Sequence, residues 1–266
     1  MTPADAAAVL ADLRAQRGTR TPFTDDGDLD HDWAYATQDA DRAARIAAGE
    51  GVTGRKLGLT SVAKQQRMGV DSPVVGFLTD AMELSASQPL PIQAWAQPRI
   101  EPEVAFVLST AVGVDGERPR ALEEVEAVVA AIGVALEILD SRYTGYRFAF
   151  SDVVADNTSA AGYVLGPPQP AADWFSDPEG LRALPLEFRA TGHASQVVTA
   201  DAILGDPRRA LLLLTEHLVE RGETLPAGSI VLGGAVTDAL PLLPGMTIEI
   251  VSPLGVLSVH TTEESA

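Results

Sequence analysis

The chain has 266 residues, 46% of them hydrophobic and 21% charged, which is long and apolar enough for one large domain with a sizeable core and outside the composition of disordered chains. With Lys+Arg at 19 against Asp+Glu at 37 the formal charge is -18, and a field of that sign repels the phosphates of nucleic acid and the anionic face of a membrane. The cysteine count is 0, so thiol nucleophiles, disulfides and thiolate metal sites are excluded, and any metal must sit on oxygen or imidazole.

The start, MTPADAAAVLADLRAQRG, has no basic segment leading into an apolar one, and no stretch reaches the length of a membrane span. A soluble, cytoplasmic protein is expected. Thr2 as N-cap, Pro3 at the first helical position and the stripe Ala6, Val9, Leu10, Leu13 predict a helix that stops at Gly18. RTPFTDDGDLDHD then reads as an exposed loop; its five aspartates lack the closing Glu of a calcium-binding loop. A second helix is expected over residues 33–48.

Beyond Gly51 the texture changes to short β-favouring runs parted by Gly and Pro, at 54–60, 74–79, 99–108, 132–140, 162–165, 184–190, 230–232, 247–251 and 256–260. Helical patterns interrupt at 121–131 and at 207–221, the second capped by Asp206 and ended by Gly222. Strands do not alternate regularly with helices, and neither G-x-G-x-x-G nor G-x-x-x-x-G-K-[ST] occurs, so an α+β fold is predicted rather than a nucleotide-binding parallel sheet.

Hydrolase and zinc-enzyme signatures are absent: there is no G-x-S-x-G, no H-E-x-x-H, and His31, His193, His217 and His260 share no metal-ligand spacing. Carboxylates are more telling. In RIEPEVAFVL a strand period of two puts Glu101 and Glu103 on one face, about 7 Å apart at the Cα level. The apolar run IGVALEILD holds a single carboxylate, Glu137, whose charge there costs several kcal/mol unless it is paired or metal-bound, to an order of magnitude. Three such oxygens suit Mg²⁺ or Mn²⁺. The same patterns also describe a solvated strand face and a buried pair with Arg, for which Asp140, Ser141 and Arg142 are local partners. The chain has two lysines, Lys56 and Lys64. In GRKLGLTS, alternation sets Lys56 beside Gly58 and Thr60, leaving room for a ligand, and confinement would lower the pKa of an acid/base lysine; a surface lysine on an edge strand is the other reading.

Taken together, GRKLGLTS, GVDSPVVGFLTDAM, QPRIEPEVAFVL, ALEILDSRY and DVVADNTSAAGYVLG, in this order and spacing, resemble the 2-keto-4-pentenoate hydratase and 4-oxalocrotonate decarboxylase branch of the fumarylacetoacetate hydrolase superfamily, over nearly the whole chain. The resemblance implies a largely antiparallel, distorted β-roll of the fumarylacetoacetate hydrolase C-terminal type at 71–266, the catalytic domain, preceded by a small helical or mixed region at 1–70. It implies a Mg²⁺ or Mn²⁺ site on Glu101, Glu103 and Glu137, a catalytic Lys56, and substrate contacts from Asn157 and Ser159. One departure is the TSAAG that follows Asp156-Asn157, where many relatives carry a further Ser.

The activity so implied is a metal-dependent lyase acting on 2-oxo acids of aromatic hydrocarbon catabolism. Decarboxylation of 2-oxo-3-hexenedioate (4-oxalocrotonate) is expected first, because SRYTGYRF after Glu137 offers Arg142 and Arg147, with Tyr143 and Tyr146, to a distal carboxylate. The alternatives are 2-keto-4-pentenoate hydration and a non-catalytic partner subunit. A homo-oligomer is expected, as is a complex with a related hydratase or decarboxylase subunit.

Overall fold

The computed structural model describes residues 1–60, 65 and 73–263; Lys64 and most of the GVDSP stretch lie outside the described residues. Helix α1 (Pro3–Gln16) starts on Thr2, whose hydroxyl accepts from Asp5 N, and ends with Arg17 in the left-handed region one residue before Gly18. Helix α2 (His31–Ala47) is capped by Asp30 rather than starting at Trp33, and packs on α1. Arg14 of α1 and Arg45 of α2 both pair with the buried Asp41, which locks the two helices together.

The central sheet is built from β1 (Val52–Gly58), β2 (Val74–Thr79), β3 (Arg99–Leu108), β4 (Val129–Leu139), β5 (Ala160–Leu165) and the later β8 (Ile230–Ala235), in the order β2-β1-β8-β3-β4-β5. Only the β1–β8 pair in that series is parallel; the others are antiparallel. A second antiparallel sheet is formed by β6 (Pro185–Ala190), β7 (Gln196–Thr199), β9 (Thr247–Ser252) and β10 (Gly255–His260), in the order β10-β9-β6-β7. The main apolar core joins the sheets through Ile132, Val134 and Ile138 of β4, Leu186 and Phe188 of β6, and Ile248, Ile250 and Leu257. Helix α4 (Arg209–Glu220) buries Leu211, Leu214 and Leu218 in the same core; α3 (Phe150–Ala155) packs against α2. This is the mixed, largely antiparallel fold the sequence predicts, with helices at its start.

One detail differs from the sequence expectations. The segment 121–131 is a 3₁₀ stretch, Leu122–Val128, that runs into β4 rather than a helix: Ala131 pairs with Val107 and Pro170, so sheet pairing overrides the helical pattern of the alanines and glutamates. Strand β1, from the N-terminal side of residue 70, lies inside the central sheet between β2 and β8. No helix among the described residues is long and apolar enough to cross a membrane.

Candidate metal and substrate site

Strand register brings the acidic residues together. Glu101 of β3 lies opposite Glu137 of β4, and Glu103, two residues on, lies opposite Ala135. One carboxylate oxygen from each of Glu101, Glu103 and Glu137 falls within 4.8 Å of the others, and all three residues are buried. Side chains directly opposed in an antiparallel pair are forced into proximity, and like charges there are repulsive. A β-bulge in β8 supplies one donor, since Gly234 N–H lies 2.8 Å from Glu103 Oε2. Gly234 has φ +115, and a Cβ there would meet Thr60 Oγ1 at 2.1 Å, so both the backbone and the space require glycine.

Lys56 Nζ lies 3.0 Å from Glu137 Oε1 and 3.4 Å from the carbonyl oxygen of Thr158, with its side chain 2% exposed. Burial opposes its charge, but the carboxylates of Glu137, Glu101 and Glu103 outweigh burial and hold its pKa above that of an ordinary lysine. The expectation that confinement lowers this pKa is therefore corrected: three acids surround the ammonium. Burial, against the opposing charge of Lys56 and reinforced by Glu101, pushes Glu137 up to about 7, and burial with the two neighbouring carboxylates pushes Glu103 well above the usual range. Neither Glu103 Oε1 nor Glu137 Oε2 meets an N–H or hydroxyl donor. Three hard oxygen ligands, two with orphaned buried oxygens, fit a divalent cation of the Mg²⁺ or Mn²⁺ kind; nitrogen and sulfur ligands are lacking from the cluster.

A cavity of about 140 Å³ opens beside this cluster. Its polar lining is Lys56, Glu101, Thr158 and Ser159; its apolar lining is Leu59, Val74, Leu139, Tyr146, Phe148 and Val153. Gly58 completes it, and a Cβ there would stand 3.0 Å from Val74 Cγ2 and 3.7 Å from Lys56 Nζ, so only glycine keeps this narrow passage beside the lysine clear.

Asn157, Thr158 and Ser159 all have positive φ, at 47°, 55° and 62°. Such a run of non-glycine residues is strained and persists only when its surroundings over-determine it. The clamp is Asn157, whose Oδ1 accepts from Phe77 N at 2.8 Å and whose Nδ2 donates to Phe77 O at 2.9 Å. With both polar ends of its amide engaged on β2, Asn157 shapes the loop. Ser159 Oγ is buried, meets no hydrogen-bond partner, and its residue lines the cavity.

The two arginines expected at the distal end are elsewhere, and that expectation is corrected. Arg142 is 1% exposed, pairs with the Asp140 carboxylate, and donates to the Asp140 and Gly18 carbonyls. Arg147 is 62% exposed and paired with Asp25. Neither lines the cavity. Tyr143 packs in the core against Phe23 and Phe148, while Tyr146 does reach the cavity wall. Residues that sequence reasoning missed are Phe148, Val153, the Thr158 carbonyl and the Gly234 amide; only the Gly233-Gly234 pair inside a strand carried a signal, of a bulge or a close backbone approach.

The chain is similar over most of its length to known proteins. Over 223 residues, 84% of this chain and 83% of the relative, the sequence is 37% identical to a 4-oxalocrotonate decarboxylase of Pseudomonas sp.. It is 36% identical over 243 residues, 90% of this chain and 86% of the relative, to a 2-keto-4-pentenoate hydratase of Paraburkholderia xenovorans. The structure matches that of 4-oxalocrotonate decarboxylase from Pseudomonas putida G7, complexed with magnesium and adipate, at TM-score 0.90 and 28% identity over 97% of both chains. A search against protein-family models found no match.

Proposed function

Because the chain belongs to the family of 4-oxalocrotonate decarboxylases and 2-keto-4-pentenoate hydratases, we propose that it is a divalent-metal-dependent lyase that decarboxylates 2-oxo-3-hexenedioate. The observation that carries this reading is the buried trio Glu101, Glu103 and Glu137 with Lys56 3.0 Å from Glu137. In it the trio would hold Mg²⁺ or Mn²⁺, a Lewis acid that would polarise the 2-oxo group of the substrate when bound. Lys56, kept charged by its acidic neighbours and lining the cavity, would hold the proton that the 2-oxo oxygen takes up. Ser159 Oγ is available to donate to the adjoining carboxylate, while Asn157 positions the loop that presents Ser159 and the Thr158 carbonyl. Thr158 O in turn orients the Lys56 ammonium.

The hydratase alternative uses the same cluster and differs in its product, whereas a non-catalytic partner subunit need not keep three carboxylates and a lysine in contact. Incubation with 2-oxo-3-hexenedioate and with 2-hydroxypentadienoate, each with and without Mg²⁺, separates them. Metal-dependent CO₂ release supports the decarboxylase; formation of 4-hydroxy-2-oxopentanoate without CO₂ release replaces it with the hydratase. The reading includes a homo-oligomer, supported by Val197 and Val256, 71% and 60% exposed on the two edge strands of the second sheet, and a related hydratase or decarboxylase subunit as a further partner. We further propose a cytoplasmic location.

A further inference from the structure

The wall of the cavity away from the acids contains no cation among the described residues. Among the described residues Lys56 is the one basic side chain that lines it, and Lys56 is held at the carboxylate cluster. The Tyr146 hydroxyl donates to the Gln97 carbonyl at 3.2 Å, and the Arg99 guanidinium stacks on the Tyr146 ring at 4.0 Å without lining the cavity. Gln97 also receives the Gly145 amide and donates to the carbonyls of Ser141 and Tyr143, so the ring is fixed from behind and offers its carbon surface. Phe148, at a ring-centroid distance of 6.4 Å from Tyr146, extends that surface, and Val153 adds to it.

We propose that Tyr146 and Phe148 form an apolar end wall that receives the departing carboxylate of the substrate without an ion pair, and that this makes them specificity-determining residues for loss of CO₂. The inference rests on the decarboxylase reading above. In the reaction the C5–C6 bond breaks and its electron pair becomes the C4=C5 bond. The C3=C4 pair moves to C2=C3, and the 2-oxo oxygen takes up the charge and one proton, leaving neutral CO₂ and 2-hydroxypenta-2,4-dienoate. A carboxylate pressed against carbon loses its hydration in the ground state, whereas CO₂ needs none, so the wall lowers the barrier; an arginine there would stabilise the carboxylate and raise it.

The test is Phe148→Arg, assayed for CO₂ release with Mg²⁺, beside Phe148→Leu and Tyr146→Phe. Phe148→Arg is expected to lower KM for the dicarboxylate and to lower kcat by about tenfold or more, the split that added ground-state binding produces. The Leu variant and Tyr146→Phe should keep kcat within about threefold, since the wall stays apolar and the tyrosine hydroxyl faces Gln97. A kcat in Phe148→Arg equal to or above that of the parent overturns the proposal. Should that variant not fold, competition in the parent enzyme decides: 2-oxopentanoate is expected to inhibit at least as strongly as 2-oxohexanedioate. Stronger inhibition by the dicarboxylate would show a cationic end wall and overturn the inference. Absence of CO₂ release from the parent enzyme with Mg²⁺ affinity intact would instead remove the decarboxylase reading itself.

Discussion

Glu101 and Glu137 occupy directly opposed positions on adjacent antiparallel strands, with both side chains buried on the same face. A sheet without a cation places like charges this way only at a cost, which Lys56 and proton uptake by Glu137 relieve in part. Replacing Glu101, Glu103 or Glu137 singly with Gln is expected to weaken Mg²⁺ binding by at least about tenfold and to reduce turnover by orders of magnitude. Because the substitution removes repulsion, the thermal midpoint of the metal-free protein should hold or rise. Calorimetric titration with Mg²⁺ and a melting curve check both; three variants with parental Mg²⁺ affinity would end the metal assignment.

Metal affinity should depend on pH in a definite direction. With Glu137 pushed up to about 7 by burial, the metal-free cluster carries protons below neutrality that a cation must displace. Affinity therefore falls as pH drops from 8 to 6, by up to about tenfold per unit for each proton displaced. Titration in two buffers of different ionisation enthalpy reads the protons directly; release that is equal at pH 6 and pH 8 would contradict proton displacement from Glu137 as the cause.

Lys56→Ala should reduce kcat by about 100-fold or more and strengthen rather than weaken proton binding by Glu137, because the opposing charge is lost. Lys56→Arg should not restore turnover, since a planar guanidinium does not fit beside Gly58, where Val74 stands at 3.0 Å from a built Cβ. Full activity in the alanine variant would return Lys56 to a purely structural role.

Asn157→Ala should act through geometry. It frees Phe77 N–H and C=O and releases the left-handed run at 157–159, so KM should rise and kcat fall while Mg²⁺ affinity stays near the parental value. Asn157→Asp keeps the acceptor for Phe77 N but loses the donor, and should lie between the two. Parental kinetics in Asn157→Ala would show that the loop holds itself.

Away from the cavity, Glu223 accepts from Arg42 and from Arg55, each at 2.7 Å, tying α2 and β1 to the end of α4. Its burial opposes ionisation, but the two arginines win and depress it to about 2. A depressed carboxylate stabilises the fold fully above its unfolded value near 4.5, and that contribution disappears as pH falls through 2. Glu223→Gln should therefore cost on the order of 3 kcal/mol at neutral pH and much less near pH 2, as denaturant unfolding at both pH values would show. An equal cost at the two values would contradict the ion-pair origin.

Much of this site could be read from spacing. The bounds of β2 and β3 follow from their β-branched runs, and the period of two in RIEPEVAFVL places Glu101 and Glu103 correctly relative to one another. The lone acid in an apolar strand marked Glu137. What spacing cannot supply is the identity of a partner distant in sequence. Arg147, three positions after Thr144, finds Asp25 of the N-terminal loop, and Arg142 turns to Asp140 and Gly18, so nearness to Glu137 in the chain says nothing of nearness to the substrate. The cavity wall takes one apolar side chain each from the residue after β1, from β2 and from β4, and three from the 146–159 segment, all of which look like ordinary core. The left-handed run at 157–159 contains no glycine, and nothing in its composition announces it.

The parallel pairing of β1 with β8 joins residues 54–56 to 230–232, nearly the two ends of the chain. On a ribosome, Lys56 would wait for most of the polypeptide to emerge before its strand gained the neighbour that separates it from β3, and Glu103 would wait equally for the Gly234 amide. Contacts of such long sequence separation are closed late, because the loop entropy must be met before they stabilise anything. Recovery of metal affinity should then lag behind recovery of helical signal during refolding, and a chain cut before residue 230 should keep its carboxylates yet lack the frame that gathers them into a site.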